Sequence, residues 1–130
     1  MDTQSSQEAT VADRVVLTLP GNPTLRGVAS LVLGGIGSRI DLPYEKVDEL
    51  QLAVLSVLGA SDPAVVTIEI EVDEDAVHVS LGPLPDDTVA APGVRAVLDR
   101  LVDGVEPARR ENDSGSAEWV TLRVVRPSAT

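Results

Sequence analysis

A single histidine, a glycine-rich run, an acidic run and one helix serine are the places in this 130-residue chain where chemistry could reside. His78 lies in AVHVSL, an alternating strand-like stretch, and acid or base work would need a carboxylate or nucleophile beside it in a concave site. Its position, outward and next to Glu69, reads instead as a solvated surface histidine. Gly34-Gly35-Ile36-Gly37 has the glycine density of a phosphate loop. It lacks the G-x-G-x-x-G spacing and a following Lys-Ser/Thr, and it ends a helical pattern instead of opening one. Asp73-Glu74-Asp75 begins like a calcium loop, but no third ligand cluster or bidentate Glu follows at the right offset, so it reads as a hairpin tip. Ser56 falls on a helix with no candidate base near it in sequence. The chain has no Cys, which excludes disulfides, thiolate metal sites and a Cys nucleophile.

The elements that must position these residues follow from periodicity. RVVLTL (14–19) reads as a strand closed by Pro20-Gly21, and Asn22-Pro23 is a helix start, with Asn accepting from free N–H groups and Pro suited to the first helical position. Leu25, Val28, Ala29, Val32 and Ile36 then recur at helical spacing, although Gly27, Gly34, Gly35 and Gly37 weaken that helix by about 1 kcal/mol each. A second helix, capped by Asp41, carries Val47, Leu50, Ala53/Val54 and Val57/Leu58 on one face and Glu45, Asp48, Glu49 and Gln51 on the other. Gly59 and Asp62-Pro63 read as its stop. VTIEIEV (66–72) and AVHVSL (76–81) form a hairpin; pairing 70 with 77 and 68 with 79 keeps both apolar sets on one face around an even loop at Asp73-Glu74. After a polar, Pro-rich connection, Val94, Val97, Leu98, Leu101 and Val102 mark a third helix stopped by Gly104. A short strand is allowed at 104–108, and WVTLRVVR (119–126) is a clear one.

The order β-α-α-β-β-α-(β)-β predicts an α/β (α+β) two-layer sandwich, with a mixed or mainly antiparallel sheet and helices on one face. Residues 14–127 read as one domain, preceded by a mobile leader at 1–13 and followed by a tail at 128–130. Aromatics are 2% of the residues, so the core must be aliphatic and stacking on bases is nearly excluded. The net charge of −11 repels phosphate backbones, which argues against direct nucleic-acid binding. No apolar run approaches the ~18 residues of a membrane span and the first residues are unlike a signal peptide, so a cytoplasmic location is expected.

Four passages carry a resemblance: VVLTLPGNPTLRGVASLVLGGIGSRI, DLPYEKVDELQLAV, GVRAVLDRLVDGVE and WVTLRVVRP. In this order they resemble the first strand and helix, the second helix, a helix leading into a strand, and the closing strand of the anti-sigma factor serine-kinase family of Gram-positive bacteria, the RsbW-type switch proteins. The resemblance implies the Bergerat, or GHKL, ATPase fold. In active members the second helix carries a Glu as catalytic base and, four residues later, an Asn that binds Mg²⁺; the matching positions here are Ser56 and Ala60. Ser is no base at neutral pH without an activating partner, and Ala has no ligand atom. Where the family has its D-x-G-x-G adenine motif, this chain reads GPLPDDTVAAPG, a connection also too short for an ATP lid.

The resemblance with these departures implies a pseudokinase that needs no cofactor, an anti-sigma-factor-like protein covering a sigma factor until an anti-sigma antagonist displaces it. Degenerate members of this kind occur in actinobacteria, and the Ala- and Val-rich, Arg-over-Lys composition suits such a source. A residual ATP-dependent serine kinase and a dimerisation module are the alternatives. The family's habit and the glycine-rich first helix suggest a homodimer. Arg26 and Arg39, on that helix, are the expected partner contacts, competing with simple pairing to the chain's own surplus of acids.

Overall fold

The computed structural model describes residues 13–20, 23–61, 64–113 and 115–127. The leader apart from Asp13, the capping Asn22, the Asp62-Pro63 stop and the tail at 128–130 therefore lie outside the described residues. Eight elements follow in order: β1 (Asp13–Pro20), α1 (Pro23–Arg39), α2 (Tyr44–Ser61), β2 (Val65–Val72), β3 (Ala76–Leu84), α3 (Pro92–Leu101), β4 (Gly104–Asn112) and β5 (Gly115–Val125). The strands make one fully antiparallel sheet in the order β1-β2-β3-β5-β4. The helices cover one face, as the two-layer reading requires.

Strict alternation decides which face. Val66, Ile68, Ile70 and Val72 of β2, Val77, Val79 and Leu81 of β3, and Val120, Leu122 and Val124 of β5 are buried against the helices. Full burial of each such side chain is worth about 1.5–3 kcal/mol. From the helical side α2 contributes Leu50, Ala53, Val54, Val57 and Leu58, the stripe read from its spacing. In α3 the buried line runs through Val94, Leu98 and Leu101, leaving Val97 at its edge and 42% exposed.

Several expected boundaries move. Helix α2 continues past Gly59 to Ser61, whose hydroxyl donates to the Val57 carbonyl at 2.7 Å and is held in the last turn. β4 runs to Asn112 because it pairs with β5 along its length, and its polar sequence with Pro107 is that of an edge strand. β3 continues through Gly82, where a side chain would collide with the Trp119 ring.

The hairpin has the expected parity but not the expected pairs. Ile70 faces Val79 and Ile68 faces Leu81, so His78 lies opposite Glu71 and not Glu69. The turn is centred on Glu74-Asp75, one residue later than expected, because the Asp73 carboxylate accepts the N–H groups of Asp75 and Ala76, each at 2.8 Å, while the Asp73 N–H donates to the Ala76 carbonyl. Burial alone would raise the Asp73 pKa; the N–H groups of Ala76 and Asp75 and the His78 ring, 3.4 Å away, outweigh it and hold the carboxyl below its ordinary range. A carboxyl whose pKa is lower folded than unfolded stabilises the fold above about pH 4, and that contribution fades as the pH falls further. Asp73→Ala should therefore cost about 1 kcal/mol near neutral pH in urea unfolding, with the difference from the parent shrinking below about pH 4.

Candidate partner-binding face

Helices α1 and α2 form an antiparallel hairpin at very short range. Gly37 faces Val47, and a Cβ at Gly37 would come within 2.5 Å of Val47 Cγ2. One turn away, Gln51 donates through Nε2 to the Ser30 carbonyl at 2.8 Å and lies against Gly34. Gln51 is thus a bridge between the helices and not a member of the solvent face where its polarity placed it. Gly37 and Gly34 serve contacts within the chain; only Gly27 and Gly35 of this helix meet nothing within 4 Å, which weakens the glycines as an argument for self-association.

The connection between the helices is closed at its first end. Asp41 has φ 58°, and the Leu42 and Asp41 N–H groups donate to the carbonyls of Gly37 (2.9 Å) and Ser38 (3.3 Å). This is a Schellman closure of α1, a left-handed position that Asp tolerates better than most residues. Asp41 is therefore the stop of α1 and not the cap of α2. The Pro43 carbonyl takes the first N–H bonds of α2, from Lys46 and Val47, at 3.0 and 3.1 Å.

Outside this joint lies a groove of about 530 Å³ with Leu42, Pro43, Tyr44 and Val47 among its walls and Ser38, Asp41, Asp48 and Gln51 among its polar groups. Tyr44 on its wall is 88% exposed, Leu31 76% and Leu52 53%. Three large side chains are thus left open on this helical pair. Arg26 and Arg39 bracket the hairpin. They are 13 residues apart on α1, about 20 Å along its axis, so they do not form one cluster. Arg26 is exposed, reaches toward Gly59 in the last turns of α2, and makes no ion pair among the described residues. Arg39, also exposed, ends α1, where a cation complements the helix dipole, and it is engaged in an interaction of its own.

Ser56 is half-buried and its hydroxyl donates to the Leu52 carbonyl at 2.8 Å, turned back onto its own helix. Ala60 is exposed one turn later. Within GPLPDDTVAAPG, residues 85–91 form a structural loop: Glu118, 9% exposed, accepts the N–H groups of Asp87 (2.8 Å) and Val89 (3.0 Å), and Val89 is fully buried. No sequence signal singled out Glu118, because an acid at the end of a polar stretch, just before the strand read from Trp119, looks like any solvent-facing residue. His78 sits at the outer face near Asp73. Among the described residues no group of three or more His, Asp or Glu side chains could hold a metal ion, and no helix is long and apolar enough to cross a membrane. Glu118→Ala would strand two loop N–H groups and should lower stability by about 2–3 kcal/mol in chemical unfolding, with proteolytic nicking appearing first at 85–91.

No family model matches the chain. Among curated proteins it is 32% identical over 79 residues to serine-protein kinase RsbW of Listeria monocytogenes, an alignment covering 55% of this chain and 50% of the relative. It is 30% identical over the same length to RsbW of Listeria innocua. The chain thus spans about half the length of the curated relatives it matches. Among solved structures it resembles a chain of the SiaB–SiaC complex from Pseudomonas aeruginosa, with a TM-score of 0.60 at 11% identity over 95% of both chains. The likeness to RsbW is therefore found independently over about half of the chain, and nearly the whole chain shares an α/β two-layer fold with a chain of the SiaB–SiaC complex.

Proposed function

We propose that this protein is an anti-sigma-factor-like regulator that works by contact alone, without ATP chemistry. The observation that carries this reading is the state of helix α2. Its sequence is similar to that of a kinase family, yet Ser56 is hydrogen-bonded to its own helix and Ala60 offers no ligand atom at the two positions where that resemblance calls for a base and a metal ligand. The loop that would carry the adenine motif is tied to Glu118. Neither Ser56 nor Ala60 supplies a base or a ligand for Mg²⁺.

The partner is a sigma factor or an anti-sigma antagonist, and its docking surface is the α1–α2 hairpin. Tyr44, Leu31 and Leu52 supply apolar anchorage, and Arg26 and Arg39 at the two ends fix orientation through the partner's carboxylates. The acidic surplus of the chain steers a basic partner toward it. Control then follows mass action: an antagonist present in excess releases the partner with no phosphoryl transfer. The protein acts in the cytoplasm and as a homodimer.

Isothermal calorimetry with Mg-ATP should give no binding tighter than about 100 μM, roughly −5.5 kcal/mol. Tighter binding would favour the residual serine-kinase reading. Affinity capture from the source cell with mass spectrometry should recover a sigma factor or its antagonist. Against that partner Arg26→Ala should weaken binding by at least about tenfold with the fold intact, whereas a change within about threefold places the interface elsewhere.

A further inference from the structure

The groove at the α1–α2 joint is one-sided in its hydrogen-bonding chemistry. Its polar side chains, Ser38, Asp41, Asp48 and Gln51, can all accept, and no Lys, Arg or His lines it. Neither carboxylate has an ion pair or a side-chain hydrogen bond among the described residues. Lys46, two residues before Asp48, is held by Asp103 at 3.7 Å. Gln51 commits its amide N–H to the Ser30 carbonyl, which leaves its Oε1 as a further acceptor. Tyr44, Val47, Asp48 and Gln51 recur at steps of three and four, so one face of α2 supplies apolar wall, charge and amide oxygen together. Two negative charges thus stand beside an apolar channel with no cation to answer them.

We infer that this groove receives an arginine side chain of the partner protein, its methylene stem along Leu42, Pro43 and Val47 and its guanidinium at Asp41 and Asp48. The inference rests on the reading of the helical hairpin as the docking face and adds the chemistry of the residue taken there. A guanidinium carries five donors and no acceptor, the complement of a groove built from acceptors. It is weakly hydrated, keeps its charge beside apolar walls and stacks on aromatic rings, and Tyr44 on the wall, 88% exposed, offers such a ring. An acidic side chain is repelled from this place, and an uncharged one covers the two carboxylates without pairing them. The ends of the chain do not supply the cation, because residues 1–13 and 127–130 contain no Lys or Arg. A partner then meets both signs on one face, with an arginine for the groove and carboxylates for Arg26 toward the other end of α1, and this fixes its direction on the hairpin.

The probes are N-acetyl-arginine methylamide and its uncharged isostere N-acetyl-citrulline methylamide, titrated at low salt into the isotope-labelled full chain and followed by the amide resonances. The arginine probe should shift the amides of 38–51 with a dissociation constant on the order of 1–10 mM, and the citrulline probe should bind at least about fivefold more weakly. The double variant Asp41→Asn, Asp48→Asn should weaken the arginine probe by at least about tenfold; Asn tolerates the left-handed conformation at position 41, and unchanged amides in the sheet verify the fold. Equal binding of the two probes, shifts centred elsewhere, or a double variant within about threefold of the parent would each overturn the inference. Shifts of the same amides that grow with protein concentration alone would assign the groove to a second copy of the chain and overturn it as well. Against the captured partner the double variant should again cost at least about tenfold, and a change within about threefold would remove the partner's arginine from the groove. Failure of the underlying reading looks different: a captured protein that is neither sigma factor nor antagonist, yet is weakened by the double variant, overturns the partner's identity and keeps the groove.

Discussion

Helix α2 is in contact with α1 on one flank, with α3 on the other and with the sheet beneath, so its shape limits everything around it. The chain has no Phe, and its single Trp lies outside the aliphatic core cluster, so that contact is made by Leu50, Ala53, Val54, Val57 and Leu58 against valines, isoleucines and leucines. Short branched side chains leave little slack: they fill a space only when the two surfaces come close. The close approach of Gly37 to Val47 is the same requirement expressed between helices.

Two surfaces remain open once that core is made, and they differ in chemistry. The helical hairpin has exposed apolar side chains, acidic groups along its groove and arginines at its ends. The outer sheet face is hydroxylated and carries Arg14, Arg110 and Arg123 beside Glu69, Glu71, Glu106 and Asp73, with the one tryptophan covered by Arg110. The contact proposed for a partner lies on the hairpin, where exposed apolar side chains and charged groups stand together.

Most of the fold was legible because two periods are unambiguous here. Alternation in VTIEIEV and AVHVSL fixed which residues face the helices, and the three-to-four spacing of α2 fixed its buried stripe. The errors arose where a polar side chain acts locally. Asp41 and Asp73 each steer the backbone by a bond that spacing cannot reveal, so the α2 cap was misplaced and the hairpin pairs shifted by two residues. Gln51 and Glu118 looked like surface residues, since their partners, the Ser30 carbonyl and the 87–89 amides, are backbone groups distant in sequence. At the candidate site, the substitutions at Ser56 and Ala60 could be read only beside the family pattern. The groove beside Tyr44 required the two helices to be placed together.

Hydrogen–deuterium exchange on the complex with the captured sigma factor or antagonist tests contact binding by the helical hairpin most directly, because it maps protection along the chain with and without nucleotide. The expected result is protection concentrated on 23–52 and unchanged by saturating Mg-ATP. Protection that appears only when Mg-ATP is added, or that falls on the 85–91 loop and the end of α2 instead, would contradict it.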